Sequence, residues 1–538
     1  MTEPSFQKLW RFTEAKPVSR WEKLGLGILV IAGIGSILRM AEWWFRAQHV
    51  GNLWLFLILS LVFWYGMVRL TIIWINYLGI KKPIKPATPT GLKVAIFTTS
   101  SPGEPLSMFE KTLEACSKIN YPHTTYLLDD TRDPEFRKVA EKHGAVWLEL
   151  VGLPGAKAGK INAALSKTEE DFILVLDPDH IPFPNFLDEV LGFFTDPEVG
   201  FVQVSQGYYN QYRSFTALAA AEQTYTFYGP TQMGMHGYNC AVAIGANCTF
   251  RRKALETAGG HGVGLAEDLV TAIRIHAEGW KSIYHPVIVA RGLVPEDFGS
   301  FCKQQLKWAR GVYEVLFDEV PRLFSKLSFW QKLSYLTIGT YYLEGFTTLI
   351  YLLIPFLYFW TGLLPAQMSF LEFATYGFPI VFFSTAIYLY VQKWLCDPSS
   401  ERGIHWRGMI MKFACWPVFF LGFVLSLLNK KIPYIPTAKQ AVIGTISPFA
   451  RPLLAQLVLF LLTLGMVLHQ RISVLSDVQL LSTAEITYGM MFFALIPFLM
   501  ASATMYAVWE SGRLDVASPW ENVDISQNVL KTKETKDK

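Results

Sequence analysis

Apolar positions in this chain fall into long runs toward both ends and short runs in the middle. The runs at 24–40 and 53–78 approach the ~20 residues that a bilayer crossing requires. Further long runs lie at 336–360, 378–395, 409–428, 453–468 and 486–509. Between the two sets the pattern shortens. Strands are predicted at 94–98, 124–128, 146–150 and 172–176, and helices at 106–118, 133–143, 160–166 and 269–277. This β-α-β-α alternation predicts an α/β domain with a largely parallel, doubly wound sheet. In such a sheet, ligands bind outside the carboxyl ends of the strands.

Basic residues set the expected topology, because cytoplasmic flanks collect Lys and Arg. Lys81, Lys82 and Lys85 return the chain to the cytoplasm, whereas 361–377 has no Lys or Arg and reads as outside. The run 409–428 is basic at both ends, with Arg402, Arg407 and Lys412 before or within it and Lys430, Lys431 and Lys439 after it. It is therefore expected as an interfacial or re-entrant helix, leaving six spans with both termini inside; a seventh ordinary span is the alternative. Residues 312–332 mix Val, Leu, Phe and Trp with Glu314, Arg322, Lys326 and Lys332, a pattern for a helix in the headgroup plane. Glu344, inside the next span, flags either a polar lumen or a residue snorkelling at the helix end. The expected organisation is 1–85 with two spans, an α/β domain at 86–313, an interfacial helix at 314–335, a membrane region at 336–510 and a cytosolic tail at 511–538.

Composition narrows the class. The 538 residues are 51% hydrophobic and 15% aromatic, too apolar for an ordinary soluble enzyme, and a net charge of +4 gives no reason to expect nucleic acid. The six cysteines show no CxxC or paired ligand spacing, which argues against a zinc site or a disulfide framework. The polar N-terminal stretch is too long for a cleavable signal, and residues 531–538 read as a solvated tail.

The chemistry gathers at the strand ends. The run 172–176 stops at Asp177-Pro178-Asp179-His180. Asp177 and Asp179 point the same way on an extended segment and can address one divalent cation; a solvated turn is the competing reading. The second strand ends at Asp129-Asp130, and the loop Gly155-Ala156-Lys157-Ala158-Gly159-Lys160 offers two cations among small residues, suited to phosphate oxygens. Glu267 and Asp268 open a helix, where an acid also serves as a simple cap. Gln304, Lys307 and Trp308 form either a binding cluster or a helix face resting on the membrane.

In order and spacing, Asp129-Asp130, Asp177-Pro178-Asp179, Glu267-Asp268 and Gln304-x-x-Lys307-Trp308 resemble the D, DxD, TED and QxxRW signature of processive family-2 glycosyltransferases. These are the cellulose-synthase-like membrane enzymes, such as bacterial cellulose, curdlan and mixed-linkage β-glucan synthases. The resemblance covers about residues 90–440 and includes Ser101–Pro105 (a SYNEP-type opening), 155–162 (HAKAGN) and 278–282 (GWKS). Tyr434-Ile435-Pro436-Thr437-Ala438-Lys439 resembles the FxVTxK gating loop, here 432–440.

The resemblance implies a GT-A-like, Rossmann-related cytosolic domain embedded in an α-helical multi-span protein of the plasma (inner) membrane. It implies Mg²⁺ or Mn²⁺ on Asp177 and Asp179, a UDP-sugar donor contacted by Glu104, Asp129, Asp130 and Lys157, and Asp268 as general base with Glu267 beside it. Gln304, Lys307 and Trp308 would meet the growing polysaccharide acceptor and the diphosphate, and Tyr434, Thr437 and Lys439 would close over the donor. One base without a protein nucleophile implies inversion, unlike the two flanking carboxylates of glycoside hydrolysis. The implied product is a β-glucan made from UDP-glucose and passed across the bilayer, with accessory export subunits. Alternatives are a non-processive transferase acting on a lipid-linked acceptor and a channel that merely binds nucleotide.

Three departures stand out. Lys307 replaces Arg and loses the bidentate fork. Ala266 replaces the Thr of TED. The chain also ends soon after its last span, so regulation by cyclic di-GMP, which uses a C-terminal PilZ module in bacterial cellulose synthases, is expected to need another subunit. These changes favour a cousin making another β-glucan over a strict cellulose synthase.

Overall fold

The computed structural model describes residues 9–430, 439, 447–473, 480–514, 518–521 and 523. Its centre is a seven-stranded sheet in the order Lys281–His285, Val199–Val204, Cys248–Arg251, Phe172–Leu176, Val94–Thr99, Thr124–Asp129, Val146–Glu149. The four strands expected from the sequence pair in parallel with one another. The other three were not expected, and Cys248–Arg251 runs antiparallel to both of its neighbours. The sheet is therefore mixed, because hydrophobic periodicity carries no information on strand direction. That reversal matters chemically: the start of Cys248–Arg251 lies at the edge where the parallel strands end.

Both sheet faces are covered, as continuous apolar strands require. Phe97, Ile173, Val175, Phe201 and Phe250 pack into one large cluster with helix Glu267–Ala277, whereas Ile96, Leu174, Leu176 and Val202 pack under Phe186, Leu187 and Leu191 on the other face. Adjacent residues thus point to opposite cores, fixing register in every strand.

Among the described residues, six helices are long and apolar enough to cross a membrane: Arg20–Trp44, Leu53–Leu78, Phe329–Thr361, Phe370–Trp394, Pro448–His469 and Ile486–Ser511. The run at 409–428, expected as an interfacial or re-entrant helix, is a pair of helices, Trp406–Ala414 and Trp416–Leu427, bent by 44°. Pro417 is the cause, since proline removes a helical donor and restarts the ladder. Lys412 of this pair meets Glu344 at 2.8 Å, giving the carboxylate a charged partner.

The single helix expected at 314–335 is also corrected. Helix Phe298–Glu314 continues through a wide turn at Val315–Glu319 into Val320–Leu323, and a new helix, Phe329–Gly339, starts at Ser328. Ser328 accepts from the Gln331 amide while the Gln331 side chain accepts from the Ser328 amide, a capping box that ends one helix register and begins another.

Described residues near each terminus, Arg11–Glu14 and Trp520, contact distant parts of the protein. Thr13–Glu14 pairs with Val287–Ile288, and Arg11 joins Asp397 at 2.9 Å, itself bonded to the buried Arg291 at 3.2 Å. Trp520, in the stretch 511–538 expected as a cytosolic tail, is buried and donates to Ser107 Oγ at 2.9 Å. The stretch 531–538 lies outside the described residues.

Candidate active site

Strand Phe172–Leu176 is wholly apolar and buried, and it delivers Asp177 to the carboxyl edge of the sheet. The two acids do not stay on an extended segment. His180 N donates to Asp177 O at 3.0 Å, closing a turn around Pro178-Asp179. The turn reading and the paired-acid reading therefore hold together: the turn is what brings the acids together. One ligand atom from each of Asp177, Asp179 and His180 lies within 4.8 Å of the others. His180 is the residue that motif reasoning missed, although it stands next to Asp179 in the chain. Its buried Nε2 has no hydrogen-bond partner among the described residues. Two carboxylates with an adjacent imidazole, whose Nδ1 lies 3.2 Å from Asp179 Oδ1, fit a divalent cation of the Mg²⁺ or Mn²⁺ type.

Lysines surround this turn. Lys157 Nζ sits 2.5 Å from Asp177 and 3.8 Å from Glu267, and also donates to Gly245 O at the start of the antiparallel strand. Lys439 Nζ lies 3.0 Å from Asp179 Oδ2. Burial alone would raise both aspartates, but Lys157 and Lys439 hold them below the usual carboxylate range. Burial would likewise lower Lys157, and Asp177 and Glu267 more than reverse it. Lys157 reaches this position because Gly155 precedes its helix with φ 91°, a left-handed conformation that favours glycine. Lys160 donates to Ser100 O and to Ser101 Oγ, and its Nζ lies 4.0 Å from Asp130.

The pair Asp129-Asp130 divides its work. Asp129 is 0% exposed and accepts from Ser100 Oγ, Thr131 N, Thr131 Oγ1 and Trp147 Nε1. With its lone pairs so engaged, it braces the loop and is not part of the Asp177–His180 cluster. Asp130 accepts from Gly152 N at 3.0 Å and faces Lys160. Glu104 accepts from Ser101 N at 2.9 Å; burial lifts its carboxyl above the usual range, with Lys439 opposing.

Glu267 and Asp268 form the first turn of helix Glu267–Ala277, and Ala266 at its N-cap supplies no side-chain bond. Asp268 Oδ1 accepts from Leu269 N at 2.8 Å, and burial followed by the Glu267 charge pushes its pKa up to about 7. The capping alternative is thus true only in part, because this carboxyl is poised to exchange a proton near neutrality. Helix Phe298–Glu314 carries Gln304, Lys307 and Trp308 and places Lys307 within reach of the charges of Glu267 and Asp177. Trp308 packs on the main core, and burial pulls Lys307 below the usual lysine range against the charge of Glu267. Lys439 is at the site; Tyr434 and Thr437 lie outside the described residues.

This helix and the Leu265-Ala266 backbone that leads into Glu267-Asp268 meet at Gly311. A Cβ there would stand 2.7 Å from Ala266 N and 2.8 Å from Leu265 C. Gly311→Ala is expected to destabilise the protein by about 1–3 kcal/mol and to cut activity by displacing Asp268. Thermal unfolding together with initial rates checks both effects; an unchanged rate would refute the link.

The site thus combines a mixed sheet, an acidic turn at its carboxyl edge, a buried acid in a neighbouring helix turn and attached helices long and apolar enough to cross a membrane. Residues 172–389 match the model described as Glycosyl transferase family group 2. It is 31% identical over 301 residues to a cellulose synthase catalytic subunit [UDP-forming] of Komagataeibacter sucrofermentans, covering 54% of this chain and 40% of that protein. It is 26% identical over 477 residues to the subunit of the same name from Pseudomonas fluorescens, covering 84% of this chain and 63% of that protein. The chain thus spans less than two thirds of these relatives' length. Among solved structures, a mannosyltransferase from Pyrobaculum calidifontis in complex with GDP-Man and Mn²⁺ is similar over 70% of this chain and 100% of its own, at 17% identity and a TM-score of 0.47.

Proposed function

We propose that this protein is a processive, inverting glycosyltransferase that polymerises a β-glucan from a UDP-sugar, UDP-glucose by preference, and passes the chain through its own membrane helices. The observation that carries the reading is the meeting of three parts on one sheet edge: the Asp177–His180 turn, Asp268 and the Gln304–Trp308 helix. Similarity to proteins named UDP-forming cellulose synthase subunits supports the donor class.

Asp177 and Asp179, with His180, would hold Mg²⁺ or Mn²⁺, which supplies charge neutralisation for the departing diphosphate. Lys157 and Lys307 add fixed positive charge on the same side, in a site where burial strengthens it. Asp130 and Glu104 face the nucleoside end of the donor, with Asp129 bracing their loop. Lys439 exchanges Asp179 for the incoming diphosphate. Asp268 takes the proton from the acceptor hydroxyl, and C1 is attacked from the face opposite UDP, so an α-linked donor gives a β-linkage. Trp308 presents a flat apolar surface to the acceptor sugar. The domain faces the cytoplasm of the inner membrane, and accessory export subunits act beyond it.

Purified protein in detergent, given a panel of UDP-sugars, tests this reading. The expected product is a polymer from UDP-glucose that linkage-specific β-glucanases digest, shortened in Trp308→Ala. A discrete glycolipid with no polymer would overturn processivity.

A further inference from the structure

A second charged site lies away from the donor pocket, where the α/β domain meets the first span after it. A cavity of about 230 Å³ is lined by Ala258, Arg274, Glu278, Arg322 and Leu323. Arg274 Nη2 lies 2.5 Å from Glu319 Oε1, and Arg322 pairs with the other oxygen of the same carboxylate. Lys326 takes Glu278 at 3.0 Å, so three cations share two carboxylates and the cluster carries one net positive charge. Arg322 remains 58% exposed in its side chain, so its guanidinium keeps donors free for an incoming anion.

The surroundings point to where that anion comes from. Phe317, Phe324 and Phe329 are exposed, and Phe329 opens the span Phe329–Thr361. Lys332 Nζ stands 4.8 Å over the Phe324 ring. Exposed aromatics beside cations at the mouth of a span are the pattern of the membrane–water interface. We infer that Arg274 and Arg322 bind the phosphate of an anionic phospholipid headgroup, with Phe324 and Phe329 in the adjoining acyl region. A forked guanidinium suits phosphate oxygens, and the anion competes with Glu319 for both arginines. Arg274 belongs to the helix whose first turn holds Asp268, so the bound lipid also steadies the catalytic helix from its far end.

Native mass spectrometry on the full chain, released from nanodiscs of phosphatidylcholine alone or with phosphatidylglycerol, reads retained lipid directly and independently of sugar transfer. Wild-type protein is expected to keep phosphatidylglycerol and shed phosphatidylcholine. Arg322→Gln should lower retention about fivefold, as for one basic group near an anionic surface. Glu319→Gln should raise it, because both arginines lose their competitor. If Glu319→Gln lowers retention alongside Arg322→Gln, the trio is only a structural clamp and the lipid site is refuted. Equal retention of both lipids, or inorganic phosphate binding that strips the phosphatidylglycerol, overturns the headgroup assignment as well. Circular dichroism of each variant verifies that it is folded.

Discussion

Asp268→Asn is expected to lower sugar transfer by about 10²–10⁴-fold while leaving donor binding nearly intact, the usual effect of losing a positioned general base. The amide preserves shape and the bond from Leu269 N but cannot accept the acceptor's proton. A pH profile gives this prediction its sign. Burial and Glu267 raise the Asp268 carboxyl to about 7, so below that pH it is a neutral acid and cannot act as base. Activity should fall about tenfold per unit as pH drops below 7 and level off above it. Glu267→Gln removes the neighbouring negative charge and should move that limb to lower pH. Isothermal titration with the nucleotide sugar, beside initial rates across pH, separates binding from chemistry. Wild-type rates flat from pH 5 to 8 would refute the assignment of Asp268 as base.

Metal removal should have an effect of similar size. Chelation, or Asp177→Asn, is expected to cut transfer by at least ~10²-fold, with Mn²⁺ or Mg²⁺ restoring the chelated wild type but not the variant. The competing account is that Lys157 and Lys439 already satisfy the acids as plain ion pairs. In that case a chelator changes nothing, and Asp179→Asn acts only by removing the ion-pair partner of the part-buried Lys439, a loss visible in unfolding. Rates and melting curves on the same samples tell the two accounts apart. Asp177→Asn is the cleaner variant, since Lys157 keeps Glu267 within 3.8 Å.

Which features could be read from the sequence follows from how local their causes are. The strand Phe172–Leu176 was found to the residue, because an unbroken apolar run ending in an acid needs only its own side chains to be recognised. The spans were legible for the same reason: length and hydropathy are properties of a segment. The helix break at Ser328 was also written locally, as Ser328-x-x-Gln331, but the amphipathic run around it hid the cap.

Other features depend on partners far away in the chain. Whether Asp129 binds or braces is decided by Ser100, Thr131 and Trp147, and only folding brings those donors to it. The direction of Cys248–Arg251 places Gly245 beside Lys157, a contact that no periodicity encodes. The burial of Trp520 against Ser107 joins positions 413 residues apart in the chain.

Composition and pattern alone therefore established a membrane-bound α/β protein with acids at its strand ends, because hydrophobic period, span length and turn chemistry act over a few residues. Folding selected which of those acids share one turn with His180, which is drawn up to about 7 beside Glu267, and which lysines stand over them. Those outcomes rest on burial and through-space charge, which depend on the distance between groups and not on their separation along the chain.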